Sequence, residues 1–236
     1  MNAADTIVVT GASAGIGRAT ATLLLEHGYT VLGIARDFSK CNFDSTRFTA
    51  MALDLSRLDE LPARLEKLTR NHASITGLVC CAGSGRFGSL EEFSCEQIRE
   101  LIDLNLTSQV YAVRALMPAM KRRQTGNIIL MGSEAALAGG KRGAVYSAAK
   151  FGLRGLAQSL RQECASSGIR VSIINPGMVK TGFFDTLDFR PGDADDNYIL
   201  PEDVAAVVLD VIETRSGTVI DEINMSPGKK VIHFKK

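Results

Sequence analysis

Charge of one sign, long apolar runs and pairable cysteines are all scarce in this chain. Its 236 residues carry 27 Lys and Arg against 26 Asp and Glu, a formal net charge of +1. A nucleic-acid binder ordinarily shows a strongly basic face, so the balance offers no argument for that partner. No run of eighteen apolar residues occurs, which argues against a membrane partner. Five cysteines make an odd count, with Cys80 and Cys81 adjacent and the other three scattered. Neither a disulfide framework nor zinc-ligand spacing emerges, no metal is expected, and reduced thiols point to the cytoplasm. The opening Met-Asn-Ala-Ala-Asp leads straight into an apolar segment, leaving no room for the regions of a secretion signal. There is no repeat, linker or low-complexity tract. With 45% hydrophobic residues, the chain reads as one domain, residues 1–236, with one substantial core and a small-molecule role.

What is present is an alternation of two periods. Residues 6–10 are apolar and β-branched and stop at Gly11, and 16–26 then show helical apolar spacing. Further strands are expected at 31–35, 48–53, 77–81, 127–131, 171–174 and 218–223. Helices are expected at 58–68, 96–120, 145–164 and 202–212, with Pro118 bending or ending the second of them. Strands and helices in alternation predict an α/β fold with helices on both faces of a parallel sheet. That is a Rossmann-type doubly wound three-layer sandwich with seven strands. The irregular stretch 176–200, with Phe183, Phe184, Phe189 and four acidic or small residues at 193–196, is long for a loop and reads as a substrate lid. Within it Arg190 either meets an anionic group or stays in solvent. The basic tail 229–236 either packs at an interface or stays mobile.

Chemistry concentrates between Ser133 and Lys150, where a hydroxyl, a phenol and an ammonium follow in order. Tyr146 and Lys150 are four apart and share a helix face. An unperturbed tyrosine titrates near 10, so a catalyst working near neutrality needs about 4 kcal/mol of help, and a neighbouring cation acts in that sense. The turn Thr10-Gly11-Ala12-Ser13-Ala14-Gly15-Ile16-Gly17 lies between strand and helix. Gly11 would permit the turn, Gly15 the approach of a pyrophosphate and Gly17 close helix packing, with phosphates at the helix N-terminus. Past the second strand stands Arg36, a cation suited to the extra phosphate of NADP, with Ser13 as a further donor and Asp37 working against it. Asp54 either accepts from an adenine amino group or caps a turn at Ser56.

Together these motifs resemble the short-chain dehydrogenases/reductases over nearly the whole chain. The resemblance rests on Thr10-Gly11-x-x-x-Gly15-x-Gly17, Asp54-Leu55, Ala82-Gly83, Asn105, Ser133, Tyr146-x-x-x-Lys150 and Pro176-Gly177 followed by Thr181. It implies hydride transfer between a nicotinamide and a carbonyl/alcohol pair. In that scheme Tyr146 is the acid/base and Ser133 positions the substrate oxygen. Lys150 holds the nicotinamide ribose and lowers the tyrosine pKa, and Asn105 holds a relay water. The expected cofactor set is Gly11, Ser13, Gly15, Ile16, Gly17, Arg36, Asp54, Leu55, Ala82, Gly83, Tyr146, Lys150, Pro176, Gly177, Val179 and Thr181. NADP is favoured, with an NAD-linked enzyme or a non-catalytic nucleotide sensor as alternatives. The resemblance also implies a homodimer or homotetramer paired through the long helices. One departure stands out: Cys81 occupies a position where the family ordinarily carries an asparagine that ties the central strands to the glycine turn.

Overall fold

Strand β1 (Thr6–Thr10) is buried at all five positions, as expected of a strand covered on both faces. The computed structural model that contains it describes residues 5–72 and 74–235. The readings of residues 1–4 and of the final lysine therefore lie outside the described residues. After β1 come α1 (Gly15–Glu26), β2 (Thr30–Ala35), β3 (Phe48–Ala52), α2 (Leu61–Asn71), β4 (Ile75–Cys80), α3 (Cys95–Ile102), α4 (Ser108–Arg123) and β5 (Gly126–Met131). The chain continues through α5 (Ala144–Glu163), β6 (Ile169–Pro176), β7 (Phe189–Pro191), α6 (Pro201–Glu213), β8 (Glu222–Met225) and β9 (Ile232–Phe234).

Seven strands form one sheet in the order β3-β2-β1-β4-β5-β6-β8, and every pairing in it is parallel. Alternate strand residues feed two apolar layers. Val8, Leu32, Leu78 and Ile128 pack with Leu65, Leu116 and Leu153 of α2, α4 and α5. Ile7, Val9, Val79 and Ile129 pack with Leu24 of α1 and Val204 and Val208 of α6. The expected doubly wound sandwich is therefore the observed fold.

Four details differ from the sequence reading. The helix expected at 58–68 begins at Leu61, because Pro62 belongs in a first turn. The expected 96–120 helix is two helices joined by a π-helical turn, Asp103–Thr107. Its second half runs through Pro118 to Arg123, held by the burial of Leu116 and Met120 on either side of the proline. The last sheet strand is Glu222–Met225, paired with Ile173 to Pro176 of β6. Finally, the basic tail, expected either at an interface or mobile, forms a strand within the chain. As β9 it pairs antiparallel with β7 of the lid, Phe189 opposite Phe234 and Pro191 opposite Ile232.

Candidate active site

Because the strands are parallel, the segments following them gather at one edge of the sheet. Gly11 leaves β1 there with φ +70° and Gly15 follows with φ +50°, values that disfavour side chains. A Cβ on Gly17 would stand 2.3 Å from the Gly11 carbonyl oxygen, and one on Gly15 would stand 3.1 Å from Cγ2 of Thr181. The turn is thus as tight as glycine permits. Helix α1 starts at Gly15 with no side-chain cap from Ala14 and no acidic residue in its first turn. Its free N–H groups and positive dipole end suit an anionic pyrophosphate. These residues fit a dinucleotide.

Around this cradle the other expected contacts take varied positions. Ser13 is half-buried in the turn and Arg36 is exposed after β2. Asp37, the residue that weakens the case for Arg36, turns to Ser39, accepting from its amide at 2.8 Å and its hydroxyl at 2.6 Å. Asp54 accepts from the Ser56 amide at 2.9 Å and hydroxyl at 2.8 Å. Burial works against its charge, but these bonds and the nearby Arg36 and Arg57 cations outweigh it, and the carboxyl titrates below its ordinary value. Leu55 is 5% exposed within the core, where its side chain packs. Ala82 is tied from two sides: its amide donates to Thr10 Oγ1 at 3.1 Å and its carbonyl accepts from Gln109 Nε2 at 2.6 Å. Those side chains anchor the strand end where Cys81 carries no amide. Burial pushes the Cys81 thiol up to about 12, which keeps it protonated at neutral pH.

Ser133 follows β5 and accepts from the Ala135 amide at 3.1 Å, opening a short helical turn, Glu134–Ala136. Tyr146 and Lys150 stand in the first two turns of α5 and are 7% and 5% exposed. Lys150 Nζ donates to the Met131 carbonyl at 2.9 Å and lies 5.6 Å from the Tyr146 ring centroid. A neighbouring lysine acts to pull the phenol down, but in this geometry burial prevails. It pushes Tyr146 up to about 12 against a hydrogen bond with Ser133, and the Glu134 carboxylate adds to the rise. Burial also lowers Lys150 to about 8.

That lysine supplies a stability test. Its pKa is near 10.5 unfolded and about 8 folded, so the unfolded chain binds more protons between those values and the cost of burying the ammonium is complete below about pH 8. Lys150→Met is therefore expected to be most stabilised relative to the parent below pH 8, the advantage shrinking as pH rises towards 10.5. Urea titrations at several pH values check it, and an advantage that grows with pH would contradict the burial argument.

Asn105, on the π-helical turn, is fully buried. Its Nδ2 donates to the Ser84 carbonyl at 3.0 Å and the Leu101 carbonyl at 2.9 Å, while Oδ1 accepts from the Ser84 amide at 3.2 Å. Both amide protons are engaged, so a lone pair of Oδ1 is what the side chain has left for a water.

A cavity of about 800 Å³ collects these groups. Ile16, Gly83, Asn105, Ser133, Tyr146, Lys150, Pro176, Gly177, Val179 and Thr181 all line it, whereas Gly11, Ser13, Gly15, Gly17, Arg36, Asp54, Leu55 and Ala82 lie outside its lining. Thr181 starts a short turn, accepting from the Phe183 amide at 3.2 Å. The segment 176–200 folds back on itself through a Val179–Ile199 bridge and a Lys180 Nζ bond to the Tyr198 hydroxyl at 2.9 Å. Arg190 is engaged by Asp193 in its own loop rather than held ready for a substrate anion. Arg142, in the loop before Tyr146, pairs with Asp188 at 3.4 Å. Missing from the sequence reading are Phe87, Glu134, Lys230, Ile232 and Phe234, which also line the cavity. The alternation Ile232-His233-Phe234 spans three residues, too few to mark the last pair as a strand without its partner.

Among the described residues no helix is long and apolar enough to cross a membrane. Residues 5–189 match the family model described as short chain dehydrogenase. An uncharacterized oxidoreductase of Staphylococcus aureus (strain MW2) is 28% identical over 225 residues, covering 93% of this chain and 96% of that relative. A metagenomic short-chain oxidoreductase in complex with NADP is 30% identical, with a TM-score of 0.78 over 96% of this chain and 98% of that one. The closed form of a serine dehydrogenase complexed with NADP+ is 28% identical, with a TM-score of 0.83 over 93% and 94%.

Proposed function

The chain belongs to the short-chain dehydrogenase family and is an NAD(P)-dependent oxidoreductase, and from that premise we propose that it interconverts a small carbonyl compound and its alcohol, with NADP as the preferred cofactor. The observation that carries the proposal is the meeting of Ser133, Tyr146, Lys150 and Asn105 on one cavity beside an uncapped helix N-terminus. Gly11, Gly15, Gly17 and the first turn of α1 would hold the pyrophosphate, and Lys150 the nicotinamide ribose. When bound, the nicotinamide supplies or accepts the hydride.

The chain's own residues manage the oxygen. As hydride reaches a carbonyl carbon, negative charge gathers on oxygen, and the Ser133 and Tyr146 hydroxyls aimed at it stabilise that charge. Tyr146 then gives up its proton, forming the alcohol; in the reverse direction it takes the proton back. Lys150, with Nζ 5.6 Å from the Tyr146 ring centroid, would hold the ribose beside the phenol, and Asn105 fixes the segment after β4 and offers a lone pair to a relay water. The segment 176–200 acts as the substrate lid of a single catalytic domain. Phe151, 43% exposed on α5, suits a homodimer or homotetramer paired through that helix, and five free thiols suit the cytoplasm.

The cofactor preference rests on Arg36. Losing a charge-assisted hydrogen bond to the extra phosphate costs about 1.5–3 kcal/mol. Arg36→Asp is therefore expected to weaken NADPH binding by about ten- to a hundredfold and to spare NADH. Fluorescence titration with both nucleotides checks this. Unchanged NADPH affinity in the variant would remove Arg36 as the reader of the extra phosphate, and clearly tighter NADH than NADPH binding by the parent protein would assign the chain to NAD.

A further inference from the structure

Resting on the oxidoreductase reading above, we propose that the carbonyl substrate is a neutral compound bearing a flat apolar ring, seated in an aromatic cage of which Tyr146 is itself one wall. Five rings form a closed circuit of contacts. From Tyr146 to Phe87 the centroids are 5.2 Å apart, from Phe87 to Phe189 5.0 Å, from Phe189 to Phe184 5.8 Å, from Phe184 to Phe183 5.2 Å, and from Phe183 back to Tyr146 6.0 Å. All five line the cavity that holds Ser133 and Lys150. They come from the segment after β4, from α5 and from the lid, so the fold assembles the cage from separate parts of the chain.

The four phenylalanines are only half-buried. Phe234 of β9, 6.5 Å from Phe189 and also on the cavity, is 73% exposed. These ring faces are apolar surface that a ligand would cover. Aromatic walls reward a flat ring through edge and face contacts beyond simple area, whereas a polyol would bring hydroxyl groups that such walls cannot satisfy.

Charge at the cavity argues for a neutral ligand. Lys230 Nζ donates to Glu134 at 2.7 Å, Arg142 is shared between Asp188 at 3.4 Å and Glu92 at 3.8 Å, and Lys150 is committed to the Met131 carbonyl at 2.9 Å. Lys141 lines the rim but is exposed to water. A carboxylate inside the cage would lose its water against apolar rings, and to pair with Lys230, Arg142 or the buried Lys150 it would have to displace the partner each already has. The β7–β9 ladder holds the C-terminal strand against the lid, and the Lys230–Glu134 pair ties the residues before that strand to the turn after β5, which places Phe234 as the cap of the cage.

The experiment measures kcat/KM with NADPH for acetophenone, methyl hexyl ketone, hydroxyacetone and para-acetylbenzoate. Acetophenone is expected to lead each of the others by about tenfold, the order of what aromatic contacts beyond area supply. Phe189→Leu keeps apolar volume but removes a ring, and is expected to bring the acetophenone and methyl hexyl ketone values together, mainly through KM for acetophenone. Phe234→Leu, at an exposed position, is expected to do the same to a lesser degree and serves where the first variant folds poorly. Turnover led by hydroxyacetone, methyl hexyl ketone or para-acetylbenzoate, or selectivity unmoved in both folded variants, overturns the inference and leaves the oxidoreductase reading standing. No turnover of any ketone overturns that reading, and the inference with it.

Discussion

Tyr146→Phe is expected to lower kcat by about 10²–10⁴-fold, the usual worth of a positioned general acid, while NADPH affinity stays close to that of the parent. The ring would keep its contacts with Phe87 and Phe183, so the site keeps its shape and loses only the proton. The same phenol predicts a pH asymmetry. Held up to about 12 by burial, it remains protonated through neutrality, so carbonyl reduction should be nearly flat with pH. Alcohol oxidation needs the deprotonated form and should accelerate as pH rises, since each unit brings about ten times more phenolate while pH stays well below the pKa. Steady-state profiles in both directions check this. Oxidation that slows as pH rises from neutrality would remove Tyr146 as the base.

The second large effect is expected from Gly17→Ala. The added Cβ would meet the Gly11 carbonyl oxygen at 2.3 Å and its carbon at 2.7 Å. Both are backbone atoms that cannot rotate away, so α1 must move off the end of β1. Overpacking of this kind costs about 1–3 kcal/mol. It would also displace the N–H groups proposed to hold the pyrophosphate, so NADPH affinity should fall together with stability. Gly155→Ala is the control. It lies on the exposed side of α5 with nothing within 4 Å of a new Cβ, and helix propensity predicts a gain of about 1 kcal/mol. If thermal unfolding ranked Gly17→Ala level with that control, the cradle would be looser than the geometry indicates.

The parts of the fold that were legible in the sequence are those in which local pattern and tertiary fate coincide. β1, β4 and β5 are buried along their length and β2 at every position after Thr30, and a continuous apolar run between turn residues announces that. The Tyr146–Lys150 pair was legible because a four-residue spacing on one helix is purely local. What stayed hidden depends on distant partners. The π-helical turn at Asn105 interrupts apolar spacing that continues on either side, and its purpose lies in bonds to Ser84, 21 residues away. The charge on Lys150 is answered by Met131, 19 residues earlier, and burial reverses the direction in which the sequence alone moves the tyrosine. Strands β7 and β9 are three residues each, too short for a period to declare itself. Only their pairing shows that the basic tail closes over the lid.

The central claim is that the groups at the edge of the sheet turn over a carbonyl compound rather than merely hold a nucleotide. The measurement that meets it most directly is NADPH absorbance followed with the ketone panel, paired with quantification of the alcohol formed. The account predicts that NADPH is consumed one for one with alcohol, and that consumption collapses in Tyr146→Phe while that variant still binds NADPH. Tight NADPH binding by the parent protein without consumption on any ketone, or undiminished turnover by Tyr146→Phe, would contradict it.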